Sequence, residues 1–229
     1  MQTTLEVRWF LEGIFPATVE RWFRFECPGQ LLTLEAETRK DLYACGNLEN
    51  YLNEFKEALD FAGDWAQPTL YAERYPQGIG YPLGRDRINL KLREGNLELK
   101  LREEFGIQTF TARGDRIWSG RVEQWRKFNL QQENTVFDRY DGDISWIPVY
   151  KKRLQKRNRG VESELTQLET KNSAWWTIAF EMPTDNNLGA NFFCEVVKAA
   201  LTYSELKLLA ENSYGYADWL NKFVTNPKD

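Results

Sequence analysis

The 229-residue chain contains no histidine. That removes Ser-His-Asp and Cys-His catalysis, histidine general bases and histidine-ligated metals together. Any chemistry must draw on carboxylates, lysine, arginine and tyrosine, around an oxygen-liganded cation if a metal takes part. Cysteine is scarce: Cys27, Cys45 and Cys194 are odd in number and far apart. They fit neither a disulfide framework nor a zinc pattern, and they point to a reducing compartment. No run approaches the roughly 18 apolar residues of a membrane span. The opening MQTTLEVRWFLEG lacks a signal peptide's basic start and apolar stretch, so a cytoplasmic, non-membrane protein is expected. The net charge of −4 argues against a general nucleic-acid binder, so any anion-binding role must come from a local cluster. Repeats, low-complexity tracts and a convincing linker are missing too, and one domain over 1–229 is expected.

What is present is aromatic and alternating. Nine tryptophans suggest large side chains filling a β-rich interior. Residues 86–103 read DRINLKLREGNLELKLRE. Ile88, Leu90 and Leu92 alternate with Asn89, Lys91 and Arg93, and after Glu94-Gly95-Asn96 the leucines 97, 99 and 101 alternate with Glu98, Lys100 and Arg102. Period-two patterning on both sides of a Gly/Asn turn predicts a β-hairpin with one aliphatic face and one polar, mostly basic face. Two arrangements fit. Either the leucines face the core and the charges face water, or the sheet curls into a barrel with the cations inside and the leucines under outer helices. Turn length decides whether Glu98, Lys100 and Arg102 share the face of Lys91 and Arg93, and the sequence leaves that register open.

Residues 4–11 and 19–26 alternate well enough for strands, and 31–37 with 41–43 read as a further strand region. Leu48, Tyr51, Leu52, Phe55, Ala58, Leu59 and Ala62 fall on one helical stripe behind Asn47 as N-cap. The Pro- and Gly-rich stretch 67–85 is predicted as loop, and 105–140 as strands with an irregular insertion. WIPVYKKRL at 146–154 reads as a strand opening a basic run from Lys151 to Arg159, which is either a solvated strand end or an extension of the hairpin's cationic face. Residues 161–169 and 175–182 suggest another strand pair. Leu188, Phe192, Phe193, Val196, Val197, Ala200 and Leu201 form an amphipathic helix, and a short helix is predicted over 216–224. The predicted class is α+β: a closed antiparallel β-barrel of about eight strands, tunnel-like, with helices packed outside.

REGNLELKLR, preceded by Arg39-x-Asp41-x-Tyr43 and followed by VYKKR, WWTIAFE and SYGYADWL, resembles the CYTH or triphosphate tunnel metalloenzyme superfamily over most of the chain. The resemblance implies an eight-stranded tunnel lined by Arg and Lys for a triphosphate, with Glu residues holding Mg²⁺ or Mn²⁺. It also implies hydrolysis of inorganic, thiamine or RNA 5′ triphosphates, or cyclisation of ATP. Lys91 and Arg93 match the family's paired basic residues, Lys100 the lysine of the next strand, and Lys151 and Arg153 the later basic pair. Glu164 and Glu181 fall near the acidic positions of the last strands. The family's N-terminal Glu-x-Glu-x-Lys is not reproduced. Aligned on Phe10-Leu11 the places hold Leu5, Val7 and Trp9, and shifted by one they hold Glu6, Arg8 and Phe10.

The expectation is therefore that Lys91, Arg93, Lys100, Arg102, Lys151 and Arg153 bind a phosphorylated small molecule or polyphosphate. Glu98, Glu164 and Glu181 supply whatever metal-holding carboxylates remain, and hydrolysis, by a metal-dependent triphosphatase route, is weak or lost. RNA 5′-end binding through 151–159 is the lesser variant. The rival reading is a non-enzymatic barrel with an apolar interior, Leu5, Val7 and Trp9 pointing inward, serving as a protein-interaction module or hydrophobic-ligand carrier.

Overall fold

The computed structural model describes residues 2–46, 88–94, 96–111, 117–130, 144–171, 173–184, 189–202 and 204–225. The strands are β1 (Gln2–Glu12), β2 (Gln30–Leu31), β3 (Glu37–Gly46), β4 (Ile88–Arg93), β5 (Asn96–Thr111), β6 (Ile117–Leu130), β7 (Ile144–Asn158), β8 (Val161–Glu169) and β9 (Ala174–Pro183). The helices are α1 (Ala17–Phe25), α2 (Ala190–Leu201) and α3 (Tyr216–Trp219), the last continuing as a π-helical turn over Leu220–Val224.

Hydrogen bonding runs β7-β3-β4-β5-β6-β1-β9-β8, and β8 pairs back onto β7, so the antiparallel sheet closes into an eight-stranded barrel. β2 is an annex of two residues laid against the far end of β7. Two tight hairpins set the registers. Arg93 pairs with Asn96, and Glu94 between them takes φ 49°, so the β4–β5 loop has two residues and Asn96 already belongs to β5. Asn158 pairs with Val161 across Arg159 and Gly160, both at positive φ, the twist that two-residue hairpins favour.

Side chains alternate across the wall. Outside, Leu5, Val7 and Trp9 of β1, Leu165 of β8, and Ile178, Phe180 and Met182 of β9 pack beneath Val19, Trp22 and Phe23 of α1 and Phe193, Val196 and Val197 of α2. Each such large side chain contributes about 1.5–3 kcal/mol by leaving water. The apolar-interior reading is thereby overturned, because Leu5, Val7 and Trp9 face the helices while Glu6, Arg8 and Phe10 face in. The hairpin leucines are also buried on the outer face: Leu90, Leu97, Leu99 and Leu101 are at most 3% exposed. The 48–62 stripe predicted to help cover them lies outside the described residues, as does the 67–85 loop.

Where a strand was expected over 19–26, the chain forms the helix α1, Ala17–Phe25. Pro16 sits at the N-cap, and Val19, Trp22 and Phe23 follow the three-four spacing of a buried helical stripe. Of the strand expected over 31–37, only Leu31, in the two-residue β2, and Glu37, where the regular strand β3 begins, are paired in strands. The remaining predicted strands and the two C-terminal helices stand near their expected bounds.

The C-terminal segment crosses the wall. β1 and β6 pair only as far as Val7 with Val122. Beyond that point Ser213 lies between them, its Oγ donating to the Arg8 carbonyl at 3.0 Å and accepting from the Arg121 amide at 2.8 Å. Leu208, before the crossing, belongs to the outer core, and Tyr216 and Trp219, after it, belong to the inner cluster with Phe10, Tyr43, Leu168 and Trp175. Thus α3 closes one end of the barrel from within its mouth.

Candidate functional site

The inward faces of the strands carry acids and bases in alternation, and in the closed register they meet as a continuous ionic chain. Glu181 of β9 pairs with Lys100 of β5 at 3.7 Å, and Lys100 with Glu6 of β1 at 3.3 Å. Arg8 bonds Glu6 at 2.9 Å and Glu164 of β8 at 3.0 Å. Glu164 meets Arg153 of β7 at 3.3 Å, and Arg153 bonds Glu37 of β3 at 2.6 Å. Arg39 touches Glu37 at 4.0 Å and Asp41 at 3.5 Å. Asp41 also holds Lys151 at 2.9 Å and Arg93 at 3.4 Å. Arg93 reaches Glu98 at 3.2 Å, which takes Lys91 at 2.9 Å and Lys127 of β6 at 3.3 Å.

Exposure runs from one end to the other. The Asp41 side chain is fully buried and Lys151 is 2% exposed, while Glu37 and Glu181 are 41% and 36% exposed. Access therefore lies at the end away from α3. At the closed end Lys151 donates to the Tyr43 hydroxyl at 2.6 Å and lies 4.0 Å from the centre of the Tyr216 ring, with Arg8 4.8 Å from the same centre. Tyr216 stacks on Tyr43, and Trp219 on Phe10 at 4.9 Å. Cation–π contact in so dry a place is a strong form of that interaction.

The electrostatics follow from burial set against neighbours. Burial raises Glu6, but Lys100 and Arg8 outweigh it and hold the carboxyl at about 2. Asp41 is held at about 2 in the same way, chiefly by Lys151 and Arg39, and Glu98 at about 2 by Lys91. Glu164 lies well below the carboxylate range beside Arg8, Lys151 and Arg153. Lys100 is raised by Glu181 and Glu6 against its burial, whereas two other lysines are lowered. Burial and the Arg93 guanidinium pull the Lys91 ammonium down to about 7, and burial with Lys91 and Arg39 nearby lowers Lys151.

The chain joins Arg8, Arg39, Lys91, Arg93, Lys100, Lys127, Lys151 and Arg153 to Glu6, Glu37, Asp41, Glu98, Glu164 and Glu181. Its named bases outnumber its named acids by two. Burial is the largest cause of the lowering at Lys91 and Lys151, and neighbouring cations add to it.

Five of the six predicted phosphate residues, Lys91, Arg93, Lys100, Lys151 and Arg153, belong to this chain. Arg102 also faces inward but stands apart, bonded to Glu123 at 2.9 Å and to Asp218 of α3 at 2.9 Å. In the basic run after Lys151, Lys152 and Arg157 are exposed, whereas Lys156 turns outward beneath α1 and donates to the Cys27 carbonyl. Sequence reasoning left Glu6, Arg8, Glu37, Glu123, Lys127 and Tyr216 out of the site, and quoted Arg39, Asp41 and Tyr43 only for the resemblance. The inward alternation of Glu6 with Arg8, and of Glu37 with Arg39, Asp41 and Tyr43, was the signal for most of them.

Carboxylates prepared for a divalent ion would converge with oxygens left over. Here Glu98, Glu164 and Glu181 stand at three different ion pairs, and among the described residues no three acidic or thiol groups come together to hold a metal. The described residues do not fit Mg²⁺ or Mn²⁺ in this arrangement.

The fold and the site define a closed antiparallel tunnel barrel with an ionic interior. No family model and no curated protein matches the chain. Likenesses occur among solved structures. A conserved hypothetical protein of Pyrococcus furiosus is 11% identical, covering 94% of this chain and 98% of that one, with TM-score 0.42. The mimivirus capping enzyme triphosphatase is 12% identical, covering 87% and 90%, with TM-score 0.40. An S. pombe RNA triphosphatase is 12% identical, covering 86% and 80%, with TM-score 0.33. At such scores the likenesses carry nothing about substrate or mechanism.

Proposed function

We propose that the barrel binds a phosphorylated anion, of the kind a short polyphosphate presents, along its ionic interior from the end where Glu37 and Glu181 are exposed. The observation that carries this reading is that, among the described residues, eight bases meet six acids in the interior ionic chain. A polyanion supplies the missing negative charge. Its oxygens take Arg93 and Arg153 through the planar donor fork and Lys91 and Lys100 as point charges. The internal carboxylates hold these groups in place beforehand, so little side-chain entropy is lost on binding. The protein's part is binding and orientation, and no hydrolytic step is assigned.

Thermal denaturation with tripolyphosphate in chelator-containing buffer tests this. The expected result is a saturable rise in melting temperature, larger than orthophosphate gives and strongly reduced in a Lys91→Ala/Arg93→Ala double variant. An RNA 5′ triphosphate added in place of tripolyphosphate separates a nucleic-acid ligand from a free one. No rise with any of these anions overturns the reading.

A further inference from the structure

The interior acids and bases leave one question: what neutralises the carboxylates that the resemblance assigns to a divalent ion. Arg8 Nε lies 2.9 Å from Glu6 Oε1, and Arg8 Nη1 lies 3.0 Å from Glu164 Oε1 and 3.1 Å from Thr177 Oγ1. Three oxygens from three strands thus enclose one guanidinium. Lys100 Nζ takes the other Glu6 oxygen at 3.3 Å and reaches Glu181 at 3.7 Å. Glu6, Glu164 and Glu181 are therefore each held by a side-chain cation, Glu6 by both Arg8 and Lys100.

We infer that Arg8 and Lys100 are resident cations that stand in place of a divalent ion, so that the barrel is metal-free by construction and takes its anion without Mg²⁺ or Mn²⁺. The space between Glu6, Glu164 and Thr177 is filled by a guanidinium whose face is also covered by Tyr216. A bound divalent ion would have to expel Arg8 from three hydrogen bonds and leave its charge buried and unpaired, which is strongly unfavourable. Lys100 repeats the arrangement nearer the open end, where its side chain is 13% exposed. The anion half of this inference rests on the proposed function; the metal half does not.

The test is titration of Mn²⁺ followed by the electron paramagnetic resonance signal of the free ion. Wild-type protein is expected to leave the signal unchanged. Arg8→Ala empties that space while Glu6 keeps Lys100 and Glu164 keeps Arg153, so the variant has partners for both acids and is expected to withdraw Mn²⁺ saturably. Glu6→Gln in that background is expected to abolish the uptake. Lys100→Ala, which releases Glu6 Oε2 and Glu181 near the opening while Arg8 keeps Glu6 Oε1, is the second variant should Arg8→Ala not fold. Saturable Mn²⁺ binding by wild type that Glu6→Gln removes overturns the inference, and so does a folded Arg8→Ala or Lys100→Ala that takes up none. A second arm measures the tripolyphosphate-induced rise in melting temperature with chelator and with Mn²⁺. An equal rise supports the inference, and a rise only with Mn²⁺ overturns it while sparing the proposed function. No rise in either condition removes the proposed function, and the Mn²⁺ spectra still decide whether Arg8 and Lys100 fill the metal's place.

Discussion

Arg102 of β5 and Asp218 of α3 meet at 2.9 Å although 116 positions separate them. Asp218 also pairs with Arg121 at 3.3 Å, so this one carboxylate fastens the helix that closes the barrel to two strands of its wall. Asp218→Ala leaves Arg102 with Glu123, so the loss is confined to the fastening. It is expected to lower stability by about 2 kcal/mol in urea denaturation, with earlier proteolytic cleavage between 204 and 225. Trp219→Ala removes a fully buried ring stacked on Phe10 and is expected to cost about 3–5 kcal/mol. A smaller effect than that of Asp218→Ala would mean that α3 is held by charge and not by packing.

Glu123 supplies a pH signature. Burial pushes its carboxyl up to about 7, with Glu6 and Asp218 adding to the rise and Arg102 opposing it. An acid whose folded pKa lies above the unfolded value binds protons more tightly when folded. Its contribution is present below the ordinary value of 4.5 and is lost as pH rises through about 7. Melting temperatures of wild type and Glu123→Gln at pH 5 and pH 8 check this. The wild-type value should fall relative to the variant as pH rises, and a constant difference would remove the assignment.

Lys91 runs in the opposite sense. Held at about 7 against an ordinary 10.5, it gives up its proton more readily folded than unfolded. Its contribution is present above 10.5 and is lost as pH falls through about 7. An anion bound beside it restores the ammonium form, so tripolyphosphate binding near pH 8 should take up protons. Calorimetry in buffers of different ionisation enthalpy reads that uptake, and Lys91→Met should lower it.

Packing on the outer face has its own test at Gly120. A Cβ there would stand 2.4 Å from Trp9 Cζ2 and 2.8 Å from Val7 Cγ2. Trp9 is fully buried and pinned by its Nε1, which donates to the Ser119 carbonyl at 2.8 Å, so it has nowhere to go. Gly120→Ala is expected to cost about 3 kcal/mol in chemical denaturation. Gly106→Ala, whose nearest neighbour is a Gln108 side-chain atom at 3.9 Å, is the matched control and should stay within about 0.5 kcal/mol.

The barrel was legible in the sequence wherever two-residue periodicity met a short turn. Residues 88–102 and 161–169 show their alternation without help, because one face must be apolar beneath outer packing. The relative facing of Lys91 and Lys100 was not legible, since it turns on whether the loop at Glu94 holds two residues or three, and a one-residue slip sends every side chain to the other face. The ion pairs were further out of reach. Arg8 with Glu164 spans 156 positions and Lys100 with Glu6 spans 94; such partners depend on how the sheet closes, which no local pattern encodes. Residues 19–26 were misread because Val19, Trp22 and Phe23 satisfy a helical stripe while their neighbours also alternate. There the proline at position 16, placed just before the helix, decides.

The Ser213 crossing bears on how the molecule assembles. A hydroxyl that bridges the edges of β1 and β6 bonds a carbonyl 205 positions away, so the ring is completed by one of the most distant encounters in the chain. Loop-closure entropy makes such encounters slow. In refolding, the β7–β8 ribbon turning at Arg159–Gly160 should gain amide protection early, and the seam beside Arg8 and Arg121 should gain it last.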